Sequence, residues 1–176
     1  MFVKEITFYT DELVNKITDL QNTGYFKTVR EIYITAGLVG ILFDEYNDGE
    51  YSKKGATKKI FSGELNRELD VIKHISTIAS LLKLSEDDKL LMNKAFGDWY
   101  DSIVIDSTSK PETEKYDIFY NYSLAGIKIL HETIAGKNPT DSDQVFLNIK
   151  NFINKIESLE EGSERFKVIE DHISNF

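Results

Sequence analysis

The sequence predicts a mostly α-helical fold of about seven helices behind one short N-terminal β-strand. Three observations predict it. Apolar residues recur at helical spacing from Asp11 onward. Only Pro111 and Pro139 interrupt the 176 residues, and a proline inside a helix removes a hydrogen bond and clashes with the preceding turn. Alternation of apolar and polar residues is confined to one segment near the N-terminus. At 41% hydrophobic and 12% aromatic, the chain has enough apolar material to bury a core, which excludes wholesale disorder.

The elements follow in order. Residues 3–10 alternate Ile6 and Phe8 with Thr7 and Tyr9, a strand with one apolar face. Thr10 before Asp11 and Glu12 is an N-cap followed by acids in the first turn. Leu13, Ile17 and Leu20 continue that helix until Asn22-Thr23-Gly24 stops it. Thr28 with Glu31 is a capping box for a second helix through Val29, Ile32, Tyr33, Ala36 and Val39, ending near Phe43. Asp44 to Gly55 reads as a loop. A long helix is expected from about Ser62 to Leu84, another from Ser85 to Trp99, a loop around Pro111, and a helix from Glu114 to Ala135 ended by Gly136-Lys137-Asn138-Pro139. Ser142 to Leu159 and Glu164 to Ile173 complete the set. These elements divide into a ribbon-helix-helix-like region over 1–45, a helical core over 46–136 and a helical extension over 137–176.

The chain has no cysteine, which excludes disulfides, thiol nucleophiles and thiolate zinc sites. Its net charge of −9 argues against a protein that coats nucleic acid nonspecifically, because phosphate binding needs clustered Lys and Arg. The N-terminus lacks the pattern of a secretory signal. The longest apolar stretch, Ala36 to Phe43, is far short of the ~20 residues of a membrane span. A soluble, cytoplasmic protein is the expectation.

No reaction chemistry stands out. His74, His131 and His172 are widely separated and none begins a metal-binding motif. Structural or solvated roles are expected for all three. The acidic run from Asp44 to Glu50 has calcium-loop composition, but its ligands are out of register and Gly55 stands where a bidentate Glu belongs. No phosphate loop or nucleophile elbow occurs. Glu86, Asp87 and Asp88 read as a charged helix start. No catalytic residue, metal or cofactor is therefore assigned.

Two features suggest binding. A single strand needs a partner for its backbone, and the first 60 residues hold no other convincing one. Pairing with the same strand of a second chain would make a ribbon-helix-helix homodimer, with Ile6 and Phe8 at the interface. Glu5, Thr7 and Tyr9, with Lys4 nearby, would then face a DNA groove, and the helix start at Thr28 would offer a phosphate site. The plainer reading is a strand that closes over the helical core. The four basic residues Lys4, Lys16, Lys27 and Arg30 against the five acids Glu5, Asp11, Glu12, Asp19 and Glu31 leave residues 1–43 at −1, a poor footprint for DNA. The second feature is Lys53, Lys54, Lys58 and Lys59 around Gly55, a basic loop able to contact phosphates or simply to serve solubility.

Three segments together carry a resemblance. Gly24 to Tyr33 running into Ala36-Gly37-Leu38-Val39-Gly40, then Ile60-Phe61 with Leu69-Asp70-Val71-Ile72 and Ile78-Ala79, and finally Phe119 to Leu130, are similar to the small proteins found beside DNA phosphorothioation (Dnd) genes. The likeness covers roughly residues 11–135; the tail after Pro139 and the insertion around Lys110 depart from it. It implies a bacterial accessory protein of DNA modification or phage defence and brings no catalytic residues.

The expected function is thus a non-enzymatic accessory subunit that binds a larger partner, an ATPase or nuclease, with DNA as a second candidate ligand. Trp99, Tyr100, Tyr116, Phe119, Tyr120 and Tyr122 are candidate interface anchors, although their helical spacing favours the core. The alternatives are a ribbon-helix-helix transcriptional repressor or antitoxin, and an enzyme whose site has no sequence signature.

Overall fold

The computed structural model describes residue 2 and residues 4–47, 54–83 and 114–158. The expected helices at 85–99 and 164–173, the loop around Pro111, and Lys53, Trp99, Tyr100 and His172 lie outside the described residues. What is described is mostly helical. The order is β1 (Ile6–Tyr9), α1 (Asp11–Asn22), α2 (Val29–Leu42), β2 (Thr57–Ile60), α3 (Ser62–Arg67), α4 (Leu69–Lys83), α5 (Glu114–Leu130), a π-helical turn His131–Ala135, and α6 (Ser142–Glu157).

The local signals for α1 and α2 act as expected. The Thr10 hydroxyl accepts from the Leu13 N–H at 3.3 Å and caps α1. The Thr28 hydroxyl accepts from the Glu31 N–H at 3.1 Å while the Glu31 carboxylate accepts from the Thr28 N–H at 3.2 Å. Thr10 lies at φ 77 and ψ 143, a combination that glycine adopts freely and that strains a β-branched residue. Glycine in place of threonine at a helix N-cap costs only about a few tenths of a kcal/mol. Thr10→Gly is expected to raise stability by about 1 kcal/mol; an unchanged or lower thermal midpoint would show that the backbone there is relaxed.

The strand is where expectation and structure part. β1 pairs with β2 of the same chain, antiparallel, in the register Ile6↔Ile60, Thr7↔Lys59, Phe8↔Lys58 and Tyr9↔Thr57. The proposed pairing with a second chain is therefore not needed to satisfy β1. Ile6 and Phe8, expected at a dimer interface, are instead buried inside the protomer, at 2% and 0% exposure. Phe8 stacks on Tyr120 at 5.6 Å and meets Tyr33 at 6.1 Å between ring centroids. β2 escaped sequence reading because Thr57-Lys58-Lys59-Ile60 carries a single apolar residue, too little for an alternating signal. Its entry is held by Gly55 at φ 94 and by the Asp11 carboxylate, which accepts from the Ala56 N–H at 2.8 Å.

The expected helix from Ser62 breaks at Glu68, whose φ of −110 and ψ of 21 leave the helical region. The two parts follow different neighbours. In α3, Asn66 holds both backbone groups of Phe2, at 2.8 and 3.0 Å. α4 instead packs against α5, burying Ile72, Ile75 and Ala79.

The centre of the molecule is the crossing of α2 and α5. It is close because small residues meet backbone. A Cβ on Gly126 would stand 1.8 Å from the Ala36 carbonyl oxygen, and one on Gly40 2.2 Å from that of Tyr122. The last turn of the expected Glu114–Ala135 helix widens, with the Gly136 N–H donating to the His131 carbonyl at 2.9 Å. α6 covers this end: Asn148 donates to the Ile134 carbonyl at 3.0 Å, and Phe152 stacks on Phe43 at 5.9 Å.

Candidate interaction surfaces

The residues expected to face nucleic acid are scattered in role. Lys4 is exposed before β1. Thr7 and Tyr9 lie half-buried on the outer side of the ribbon, and the Thr7 carbonyl accepts from the Tyr120 hydroxyl at 3.1 Å. Lys54 is exposed in the loop before β2. Lys58 and Lys59 are not loop residues; they belong to β2.

Their partners limit what they can do. Lys59, on the outer face, forms an ion pair with Glu5. Lys58 projects from the core-facing side of β2, and its ammonium donates to the Gln21 side chain in α1. Partial burial pushes the Lys58 ammonium below its ordinary pKa. A phosphate would have to displace Glu5 from Lys59 and Gln21 from Lys58. Of the expected cluster, the described Lys54, Lys58 and Lys59 are thus divided between the loop and the two faces of a strand.

The start of α2 is also occupied. Glu31 accepts from the Lys27 N–H at 2.7 Å as well as from Thr28. A carboxylate therefore fills the place where a phosphate would bind at the helix N-terminus, and its charge opposes a second anion there.

The two described histidines bond within the protein. The His74 ring hydrogen-bonds to the Asp70 carbonyl at 2.6 Å within its own helix. His131 Nε2 lies 3.0 Å from Asp19 Oδ2 and ties the π turn to α1. Among the described residues no three His, Asp or Glu side chains gather as a metal site would require. Tyr116, Phe119, Tyr120 and Tyr122 are all buried in the core.

Sequence reading missed Lys115. It lies at the start of α5, is 4% exposed, and stands 5.6 Å from the centre of the Tyr116 ring. Burial, with repulsion from Lys73, pushes its ammonium down to about 8. The ordinary value is 10.5, so between pH 8 and about 10 the folded chain holds fewer protons than the unfolded one, and stability rises with pH in that window. Above it, Tyr33 and Tyr116, both pushed up by burial, reverse the trend, because the unfolded chain then loses phenolic protons first. Lys115→Met is expected to flatten the rise between pH 8 and 10 in chemical denaturation curves. A rise of unchanged size in the variant would assign it to another group.

Sequence reading also missed an exposed apolar ridge on α6. Phe146 is 70% exposed, Leu147 49% and Ile153 47%. The available signal was their position off the stripe Val145, Ile149, Phe152 and Ile156, which faces the core.

No helix among the described residues is long and apolar enough to cross a membrane. In comparisons with known proteins, the chain matched no family model, no curated protein and no solved structure.

Proposed function

We propose that this protein is a non-enzymatic accessory subunit of a bacterial phage-defence or DNA-modification system, acting by binding a larger partner of the ATPase or nuclease class. The observation that carries a protein-binding role is the contrast between two surfaces. The basic side chains of the ribbon are engaged by Glu5 and Gln21, while α6 presents large apolar side chains to solvent. Exposed apolar groups gathered on one element mark protein contacts more often than nucleic-acid contacts. The assignment to defence or DNA modification rests on the three-segment resemblance to the Dnd-associated proteins. The repressor or antitoxin reading depended on a ribbon shared between two chains, and β2 supplies that partner within one.

The test is co-expression with an ATPase or nuclease of a bacterial phage-defence or DNA-modification system, followed by size-exclusion chromatography. Co-elution in a fixed ratio is expected. Duplex DNA titrated into the isolated protein should bind weakly, with strong salt sensitivity, because a net charge of −9 repels phosphate. Tight duplex binding by the protein alone, without co-elution, would replace this reading with direct DNA recognition.

A further inference from the structure

The ridge on α6 has a charge pattern that specifies what fits it. Phe146 and Ile153 are seven residues apart, and seven residues return an α-helix to within about 20° of the same direction. They form a line beside the core-facing stripe. Asp143, Lys150 and Glu157 repeat at the same interval along the outer side of that line. All three are exposed, and none forms an ion pair among the described residues. Elsewhere charges do pair: Glu12 with Lys16, Glu5 with Lys59, and Glu68 with Arg30. Leu147 bounds the charged line on its far side.

We propose that this face docks an amphipathic helix of another protein, one that carries basic, acidic and basic residues at seven-residue intervals beside an apolar stripe. The inference rests on the protein-binding reading above and names the chemistry of the partner. The acidic, basic, acidic order of Asp143, Lys150 and Glu157 is complementary to that helix in either direction, as in coiled-coil seams where flanking charges choose the partner.

The same order rejects a second copy of this chain. Pairing two α6 helices parallel in register, or antiparallel about Lys150, sets Lys150 against Lys150 and acid against acid. Sliding one helix by seven residues matches the charges but carries half of the ridge past the end of the facing helix. Like charges brought together in this way discriminate against a partner.

Two synthetic three-heptad peptides with the same leucine stripe test the proposal. One carries Lys, Glu and Lys at the charged positions and the other Glu, Lys and Glu. Each is titrated by fluorescence anisotropy into the full-length protein at low salt. The Lys-Glu-Lys peptide is expected to bind about tenfold tighter, the effect of two or three exposed ion pairs. The triple variant Asp143→Lys, Lys150→Glu, Glu157→Lys should reverse that preference, and Phe146→Ser should remove binding of both peptides. All of these positions are exposed, so an unchanged thermal midpoint confirms that the variants are folded. Equal binding of the two peptides, binding of neither, or a preference that survives the triple reversal overturns the proposal. So does a concentration-dependent dimer by sedimentation that Phe146→Ser dissociates, since the occupant is then a second copy. Co-elution with the co-expressed ATPase or nuclease in the face of a failed peptide test keeps the protein-binding reading and moves its surface elsewhere.

Discussion

Gly126→Ala is expected to abolish cooperative folding or to cost about 3 kcal/mol or more. Inserting a methyl into a packed core costs about 1–3 kcal/mol where side chains can give way. Here the obstruction is backbone: the new Cβ would lie 1.8 Å from the Ala36 carbonyl oxygen and 2.5 Å from its carbon. Relief requires α2 and α5 to separate, which loosens Gly37 against Phe119 and Gly40 against Tyr122 along the same crossing. Gly63→Ala is the control. It lies in α3, a Cβ there meets nothing within 4 Å, and replacing a helical glycine stabilises by about 0.4–1 kcal/mol. Urea denaturation of both variants reads the difference. A Gly126→Ala protein as stable as the parent would mean that α2 and α5 are further apart than described.

The second large effect concerns β1. Phe8→Ala is expected to cost about 3–5 kcal/mol, because the ring is fully buried between Tyr33 and Tyr120. Removing residues 1–10 should be worse. It takes away Ile6, Phe8, the ladder to β2, the Thr7 carbonyl that receives Tyr120, and the Thr10 cap. The expected result is loss of the folded state in circular dichroism. A ribbon made by two chains predicts something different, namely a folded monomer released from a dimer. A truncated protein that keeps its helical signal and its cooperative transition, with a halved mass by light scattering, would restore the two-chain ribbon.

The helices were legible because their information is local. Thr10 before two acids and Thr28 three residues before Glu31 mark helix starts through hydrogen bonds spanning one turn. Asn22-Thr23-Gly24 and Gly136 mark ends, with Gly24 at φ 71 and Gly136 at φ 57, a region that glycine enters freely. Leu65, Ile72, Ile75 and Ala79 declared the buried face by spacing alone. The mostly α class follows from these signals, since each depends on residues a few positions apart.

The tertiary structure alone decided the rest, and in each case a contact distant in sequence overrode the local pattern. β2 exists because Lys58 and Lys59 sit opposite Phe8 and Thr7 across a ladder, about fifty positions along the chain. Lys58 reads in sequence as part of a basic loop, yet its place on the core side of that ladder sends its ammonium to Gln21. The break at Glu68 arises because α3 answers to Phe2 while α4 answers to α5. Lys115 carries no sequence signal of burial, and the fold leaves it 4% exposed beside the Tyr116 ring. Phe146 and Ile153 meet solvent because Val145, Ile149, Phe152 and Ile156 take the buried face of α6. Local hydrogen bonding sets where a helix begins and ends; which of its sides meets protein and which meets water is set by the elements packed against it, and those are chosen by the whole chain at once.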